Sequence, residues 1–353
     1  MSTRFRPHIA RLHAYVPGEQ IHAQGIIKLN TNENPYPPSP RVMRALRRAL
    51  DSSLRLYPEP LSDTLRNQAA VAYDVDAENV LAGNGSDELL SIVTRCLIGK
   101  GDRVAYPVPT YTLYDTLVEI QEGESLTVDY PADFSLPESL ASANAALTFL
   151  CNPNSPSGTL LARGFIERLA AAVAGVLVVD EAYIDFADNA DASAIPLIRK
   201  FPNLVVLRSF SKAFSLAGMR IGLAFGAAEM IAGLMKVKDS YNLNRLSAVA
   251  ATAALQDQAW MKRNVGRIQR ARRQLTRRLT KLGFHVPPSQ ANFVLAHGRG
   301  RDLRELYEHL KKRGILVRYF DVPALKDALR ITVGSPPQVQ ALAREIATAG
   351  SAS

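Results

Sequence analysis

The sequence predicts an α/β protein, with a large domain on a mostly parallel mixed sheet covered by helices and a second, smaller α/β domain. Three observations carry this. Between about residues 78 and 226, short apolar runs alternate with helical patterns. Those runs are nearly continuous, as strands must be when helices cover both faces of their sheet. Beyond residue 245 the pattern changes to strongly charged helices with a few short strands.

In chain order, Leu29–Pro40 (LNTNENPYPPSP) is rich in Asn and Pro and cannot hold regular structure for long, so it reads as a linker or an active-site loop. Seven strands then follow as apolar runs: Val80-Leu81, Arg103–Tyr106, Ser125–Val128, Ala146–Leu150, Val176–Asp180, Leu204–Leu207 and Ile221–Phe225. The later region carries charged helices over 257–282 and 301–313 and strands at Asn292–Leu295, Ile315–Arg318 and Ala328–Val333. A last helix starts at Pro337. The expected division is a large domain over 30–244 and a small one from 1–29 and 245–353.

The chain has 353 residues, 47% hydrophobic and 21% charged, enough for two domains and a well-buried core. Its longest relevant uncharged apolar stretch, Leu169–Val179, is far short of the ~20 residues a membrane span needs. Met1–Ala10 has basic residues but no apolar h-region, so no secretory signal is visible. Cys96 and Cys151 lie in apolar segments without metal-ligand spacing and read as buried, reduced thiols of a cytoplasmic protein. No metal site is expected.

The net charge of +9 raises a nucleic-acid reading. Much of it lies in Lys262–Lys281, with nine basic residues and no acidic one. Yet Met261, Val265, Ile268, Leu275, Leu279 and Leu282 recur there at helical steps, so the basic residues form the outer face of an amphipathic helix. No aromatic residues interleave with the arginines, which argues against a single-strand binding site.

Several constellations carry chemistry. Ser209-Phe210-Ser211-Lys212, with Arg220 eight residues on, sets an amine beside hydroxyls and a guanidinium at the end of an apolar run. That is the equipment for holding a phosphorylated aldehyde cofactor as a Schiff base. Gly83–Glu88 precedes a helix; its glycines allow a tight turn, and the first-turn amides make either an anion site or a helix simply capped by Ser86 or Asp87. Asp180 ends the run Val176–Val179, where a carboxylate must be paired or act as a structural cap. A pyridinium N–H would satisfy it and make the ring an electron sink, with Tyr183 three residues on. Finally, Arg330 and Arg318 sit in apolar strands, where a planar fork suits carboxylate or phosphate capture, or a structural salt bridge. Cys151–Gly158 reads as a turn or as the source of an amide for a cofactor ring, and Tyr111 as a stacking ring or a core aromatic.

Together these segments resemble the fold-type I pyridoxal-phosphate aminotransferases, most of all the histidinol-phosphate aminotransferases. The similarity also takes in Ala14–Gly18, Asn30–Pro38, Tyr57-Pro58 and Leu329–Gly334, and so spans almost the whole chain. The resemblance implies pyridoxal 5'-phosphate as cofactor, with Lys212 as the Schiff-base lysine that later shuttles the substrate proton. It implies Asp180 on the pyridine nitrogen, Tyr183 on the ring oxygen and Tyr111 over the ring. Gly85, Ser86, Asp87, Ser209, Ser211 and Arg220 would surround the phosphate, with Tyr57 reaching the phosphate of the neighbouring subunit of a homodimer. Arg330 would clamp the α-carboxylate of glutamate or 2-oxoglutarate, with Tyr15 and Arg318 near the substrate's far end. The family's Asn-Pro-Thr-Gly is Ser155-Pro156-Ser157-Gly158 here, so the ring-facing asparagine becomes a serine, with Asn154 adjacent as a substitute. The implied reaction is transamination between histidinol phosphate and 2-oxoglutarate in histidine biosynthesis. Alternatives on the same scaffold are an aromatic amino-acid transaminase and a threonine-phosphate decarboxylase. A nucleic-acid-binding regulator is the distant one, although the enzyme-like pattern already begins by Tyr15. Small-molecule substrates are the expected partners, with neither nucleic acid nor membrane among them.

Overall fold

The computed structural model describes residues 4–12, 19, 25–299 and 302–350. Strand β1 (Ile27–Lys28) is followed by β2 (Val80–Gly83), β3 (Arg103–Val108), β4 (Glu124–Asp129), β5 (Leu147–Cys151), β6 (Val176–Asp180), β7 (Leu204–Ser209) and β8 (Gly222–Phe225). The last seven form one sheet in the order β2-β8-β7-β6-β5-β3-β4. Only the two pairings of β8 are antiparallel; the rest are parallel. This is the mostly parallel mixed sheet that the sequence predicts, and all seven expected strands are present.

The apolar runs form strands because both faces are covered. Phe149, Leu150, Val178, Val179, Val205 and Val206 are all inaccessible to solvent. The exception is β4, at the sheet edge, where exposed and half-buried residues alternate. Strand β7 runs on to Ser209 because Arg208 and Ser209 pair with Leu223 and Gly222 of β8.

The parallel strands deliver Val108, Cys151, Asp180 and Ser209 to one edge of the sheet. The chain order reverses between β3 and β5, and the crevice at such a reversal is where open α/β sheets bind ligands.

The C-terminal region adds β9 (Phe293–His297), β10 (Ile315–Leu316), β11 (Arg318–Tyr319) and β12 (Ala328–Thr332). The expected single strand Ile315–Arg318 is in fact two. β10 pairs parallel with β1, whereas β11 pairs antiparallel with β12, in a three-stranded sheet of order β11-β12-β9. The break at Val317 passes the chain from one sheet to another and sets Arg318 directly opposite Arg330.

The basic helix spans Gln258–Lys281 and buries Met261, Val265, Ile268, Leu275 and Leu279, the stripe expected of it. Arg272 departs from the outer face: it is buried, donating to the carbonyls of Phe186 and Ala291. The helix Arg245–Leu255 packs on the helices Pro40–Ala49 and Asp63–Tyr73. Among the described residues, no helix is long and apolar enough to cross a membrane.

Candidate active site

A cavity of about 580 Å³ opens at the carboxyl edge of the large sheet. Its wall draws on every predicted constellation: Ser86 and Asp87 after β2, Tyr111 after β3, Ser155 after β5, Asp180 and Tyr183 at the end of β6, and Ser209, Ser211, Lys212 and Arg220 after β7. Arg318 and Arg330 close the far side, and Asn30–Glu33 line the wall between.

One end is built for an anion. The helix Ser86–Leu97 starts at Gly85, whose φ of +89° a side chain would resist, and among the described residues no side chain caps its first amides. The simple-capping alternative therefore does not apply; the open amides and the positive end of the helix dipole are left for a ligand. A Cβ on Gly85 would lie 2.7 Å from Arg220 Nη2, and one on Gly222 2.7 Å from the Ser86 nitrogen. The backbone and the guanidinium can approach this closely only because both positions are glycine. Arg220 donates to Ser211 Oγ (3.3 Å) and to Asp87 Oδ2 (3.0 Å), and the Tyr111 hydroxyl donates to Asp87 Oδ1 (3.0 Å). Asp87 thus orients Arg220 and Tyr111 rather than facing an anion itself. Arg220 sits at φ +50°, a left-handed conformation unfavourable for a residue with a side chain and characteristic of functional sites.

The middle of the cavity holds the ionisable groups. Burial, helped by the nearby Arg330 and Arg220 charges, lowers the Lys212 amine to about 8. An amine so placed loses its proton far more readily than a solvated lysine. Asp180 is buried, and desolvation raises its carboxyl to about 6. Its Oδ1 accepts from the Ala182 amide (3.1 Å) and its Oδ2 from the Tyr114 hydroxyl (3.3 Å). A carboxylate held in this state favours a cationic N–H partner. Tyr183 packs edge-on against Phe293 and lies under the Lys212 ammonium, 5.7 Å from its ring centre. Behind these groups, buried Arg208 on β7 pairs with Glu181 and Asp185, bracing the ends of β6 and β7 together.

The far end is cationic. Arg330 Nη1 donates to Ser155 Oγ (3.1 Å) and Nη2 to the Asn30 carbonyl (3.0 Å). Opposed residues of an antiparallel pair share a face, so Arg318 and Arg330 both look into the cavity.

The family model for aminotransferases of class I and II matches residues 24–346. The chain belongs to this family. It is 43% identical to histidinol-phosphate aminotransferase 1 of Trichormus variabilis over 348 residues, 98% of this chain and 99% of that one. It is 44% identical to the histidinol-phosphate aminotransferase of Geobacter sp. strain M21, over 95% of each. Among solved structures, histidinol-phosphate aminotransferase from Sinorhizobium meliloti in complex with pyridoxal-5'-phosphate superposes with a TM-score of 0.91 at 29% identity, covering 99% of both chains.

This aminotransferase gathers most of its predicted site residues into one cavity. Three stand apart. Tyr57 is 79% exposed and stacks on Tyr241, away from its own cavity. Tyr15 lies outside the described residues. Asn154 is buried but occupied: its amide donates to the Pro109 carbonyl and Ser157 Oγ, and its oxygen accepts from Thr110. Ser155, not Asn154, lines the cavity. Asn152, at the same strand end, is likewise spent on both backbone groups of Leu161.

Of the two cysteines, Cys151 is buried at the cavity wall and Cys96 is only half-buried. Sequence reasoning passed over Tyr114 and the inner contacts of Asn30–Asn32. Tyr114 lies three residues from Tyr111, the only signal it offered.

Proposed function

We propose that the chain catalyses pyridoxal-phosphate-dependent transamination between histidinol phosphate and 2-oxoglutarate, giving imidazole acetol phosphate and glutamate in histidine biosynthesis. The observation that carries this is one cavity uniting an amine lowered to about 8, a buried carboxylate, an uncapped helix start beside a guanidinium, and two opposed arginines. The near full-length relatives named above support the substrate.

The residues fit the cofactor. The first-turn amides at Gly85–Asp87, with Ser86, Ser209, Ser211 and Arg220, would hold its phosphate. Asp180 would pair with the ring nitrogen, Tyr183 would donate to the ring oxygen, and Tyr111 would cover the ring. When bound, pyridoxal phosphate supplies an aldehyde that condenses with amines and a ring that accepts the electron pair left on the substrate's α-carbon. The chain's own part is to place and to move protons. Asp180, ionised near neutrality, keeps the ring nitrogen protonated. Lys212 Nζ, near its own midpoint at about 8, takes the proton from the substrate carbon and returns it on the other side of the exchange. Ser155 stands at the place of the ring-facing amide. Arg330 would clamp a substrate carboxylate through its two nitrogens, with Arg318 and Tyr15 toward the far end.

The functional unit is proposed to be a cytoplasmic homodimer, with residues 30–244 as the cofactor-binding domain and 1–29 with 245–353 as the small one. Leu50, Leu54, Leu56 and Tyr57 leave apolar side chains exposed along one segment, and such clusters mark interfaces. Tyr57 would complete the partner's phosphate site.

The test is a panel of amino donors, namely histidinol phosphate, phenylalanine and threonine phosphate, each assayed with 2-oxoglutarate for glutamate and for carbon dioxide. Highest kcat/KM with histidinol phosphate, without carbon dioxide, is expected. Preference for phenylalanine, or carbon dioxide release from threonine phosphate, would overturn the assignment.

A further inference from the structure

We infer that Asn32 is a positioning residue that fixes the direction in which the Tyr183 hydroxyl presents its proton to the cavity. The inference rests on the proposed role of Tyr183 at the cofactor's ring oxygen.

The starting point is a backbone outlier. Asn32 is 1% exposed and sits at φ +57°, a region that disfavours side chains and that asparagine tolerates better than most. Its surroundings hold it there. Its amide donates to Thr332 Oγ1 (3.0 Å), and its carbonyl accepts from Asn292 Nδ2 (2.8 Å). A strained, buried, fully bonded polar residue beside a cavity points to function.

Proton accounting then sets every direction. Thr332 has one hydroxyl hydrogen, and its oxygen already accepts from the Asn32 amide. That hydrogen goes to Asn32 Oδ1, 3.1 Å away; with the amide turned the other way this buried hydroxyl would lose that acceptor and meet an N–H instead. With Oδ1 fixed toward Thr332, the other end of the side chain, Nδ2, faces Tyr183 Oη at 3.0 Å. An amide nitrogen only donates, so the tyrosine oxygen must accept there. Its single O–H is left to point elsewhere, and Tyr183 lines the cavity. The relay runs Thr332 to Asn32 to Tyr183 to the cavity, in that sense only. Burial pushes the Tyr183 phenol up to about 12, so it keeps its proton and can donate it.

The same short segment meets the other working groups. The Asn30 carbonyl accepts from Arg330, the Thr31 carbonyl from Lys212 Nζ (3.3 Å), and Thr332 lies two residues beyond Arg330 on β12. Asn32 is therefore anchored to the strand that bears the carboxylate clamp.

The holoenzyme, three single variants and two double variants test this, read by the pH midpoint of the bound cofactor's absorbance change, with thermal melting as a folding control. Tyr183→Phe removes the donor outright. The ring oxygen's negative charge is then held less by the protein and more by the nearest cofactor proton, so the midpoint should rise by about one pH unit or more. Asn32→Asp is isosteric and tolerates the left-handed backbone, but its carboxylate only accepts and draws the tyrosine proton backward. It should reproduce most of the Tyr183→Phe rise, and in the Tyr183→Phe background only the smaller Coulombic effect of its own charge should remain. Asn32→Gly keeps the backbone and deletes the relay. It should give a smaller rise, absent in the double variant, and it carries the test if the aspartate variant does not fold. An unchanged midpoint in both Asn32 variants, where Tyr183→Phe shifts it, overturns the inference alone. So does a rise of equal size in the Tyr183→Phe background. An unchanged midpoint in Tyr183→Phe instead overturns the assignment of Tyr183 itself.

Discussion

Replacing Asp180 by Asn should stabilise the cofactor-free protein while disabling the enzyme. Asp180 is 4% exposed, and burial raises its carboxyl from 3.8 to about 6. At about 1.4 kcal/mol per pH unit, the ionised side chain costs the fold about 3 kcal/mol. The sign follows from proton binding. Between pH 3.8 and about 6 the native carboxyl holds a proton that the unfolded one has released, so stability falls as pH rises through that window. The asparagine side chain of the Asp180→Asn variant has the same shape, keeps an oxygen for the Ala182 amide, and carries no charge to bury. The gap in unfolding free energy, variant minus wild type, should therefore widen by about 3 kcal/mol from pH 3.5 to pH 8. Denaturant unfolding of both apoproteins across that range measures it. In the loaded enzyme the same change should lower turnover by about 100-fold or more, the scale of one lost preorganised electrostatic contact. A gap that stays constant with pH would refute the assignment of a buried, proton-poor carboxylate at this position. A variant less stable than wild type at pH 8 would do the same.

Gly85→Ala puts a methyl group 2.7 Å from Arg220 Nη2 on a φ of +89°, so pyridoxal phosphate should bind about 10- to 100-fold more weakly while phosphate-free pyridoxal is little affected. Equilibrium titration with both compounds separates an anion cradle from a general packing defect. Arg330→Lys exchanges a two-nitrogen fork for a point charge; KM for glutamate should rise by about 10- to 100-fold with a smaller fall in kcat, and an unchanged KM would remove Arg330 from substrate binding. Mixing Lys212→Ala with Tyr57→Ala, each inactive or nearly so alone, should restore activity through hybrid dimers with one intact site. Failure of the mixture to recover activity, with hybrids verified by mass, would detach Tyr57 from the partner's site.

The large sheet was legible because its strands are buried on both faces, and continuous apolar runs such as Leu204–Leu207 have few other uses. The site was legible for a related reason. Asp180, Ser209 and Lys212 break into polar chemistry where those runs end, and parallel strands bring such ends to one edge. What stayed hidden depends on partners distant in sequence. Asn32 is a turn residue by composition, and its role exists only through Thr332, 300 positions away. Tyr114 looks like any core aromatic until its hydroxyl meets Asp180. The run Ile315–Arg318 reads as one strand because local propensity cannot tell which sheet each half joins. Asn154 is an attractive ring partner from its sequence neighbours alone, yet Thr110 and Pro109 engage its amide in the fold.

That division of β10 from β11 bears on substrate choice. The split lets β11 pair with β12, which sets Arg318 opposite Arg330. Split as it is, the two guanidiniums share one face of an antiparallel pair, where like charges repel each other. A wall of this kind is relieved by an anion. A transaminase must empty and refill one cavity with two different substrates, so each must bring negative charge to the same wall. In the proposed reaction glutamate and 2-oxoglutarate would do so with carboxylates, and histidinol phosphate with its phosphate. Phenylalanine, by contrast, would bring one anionic group to that wall, its α-carboxylate, and none at its aromatic end. The discrimination proposed for this enzyme thus follows from where one short strand ends.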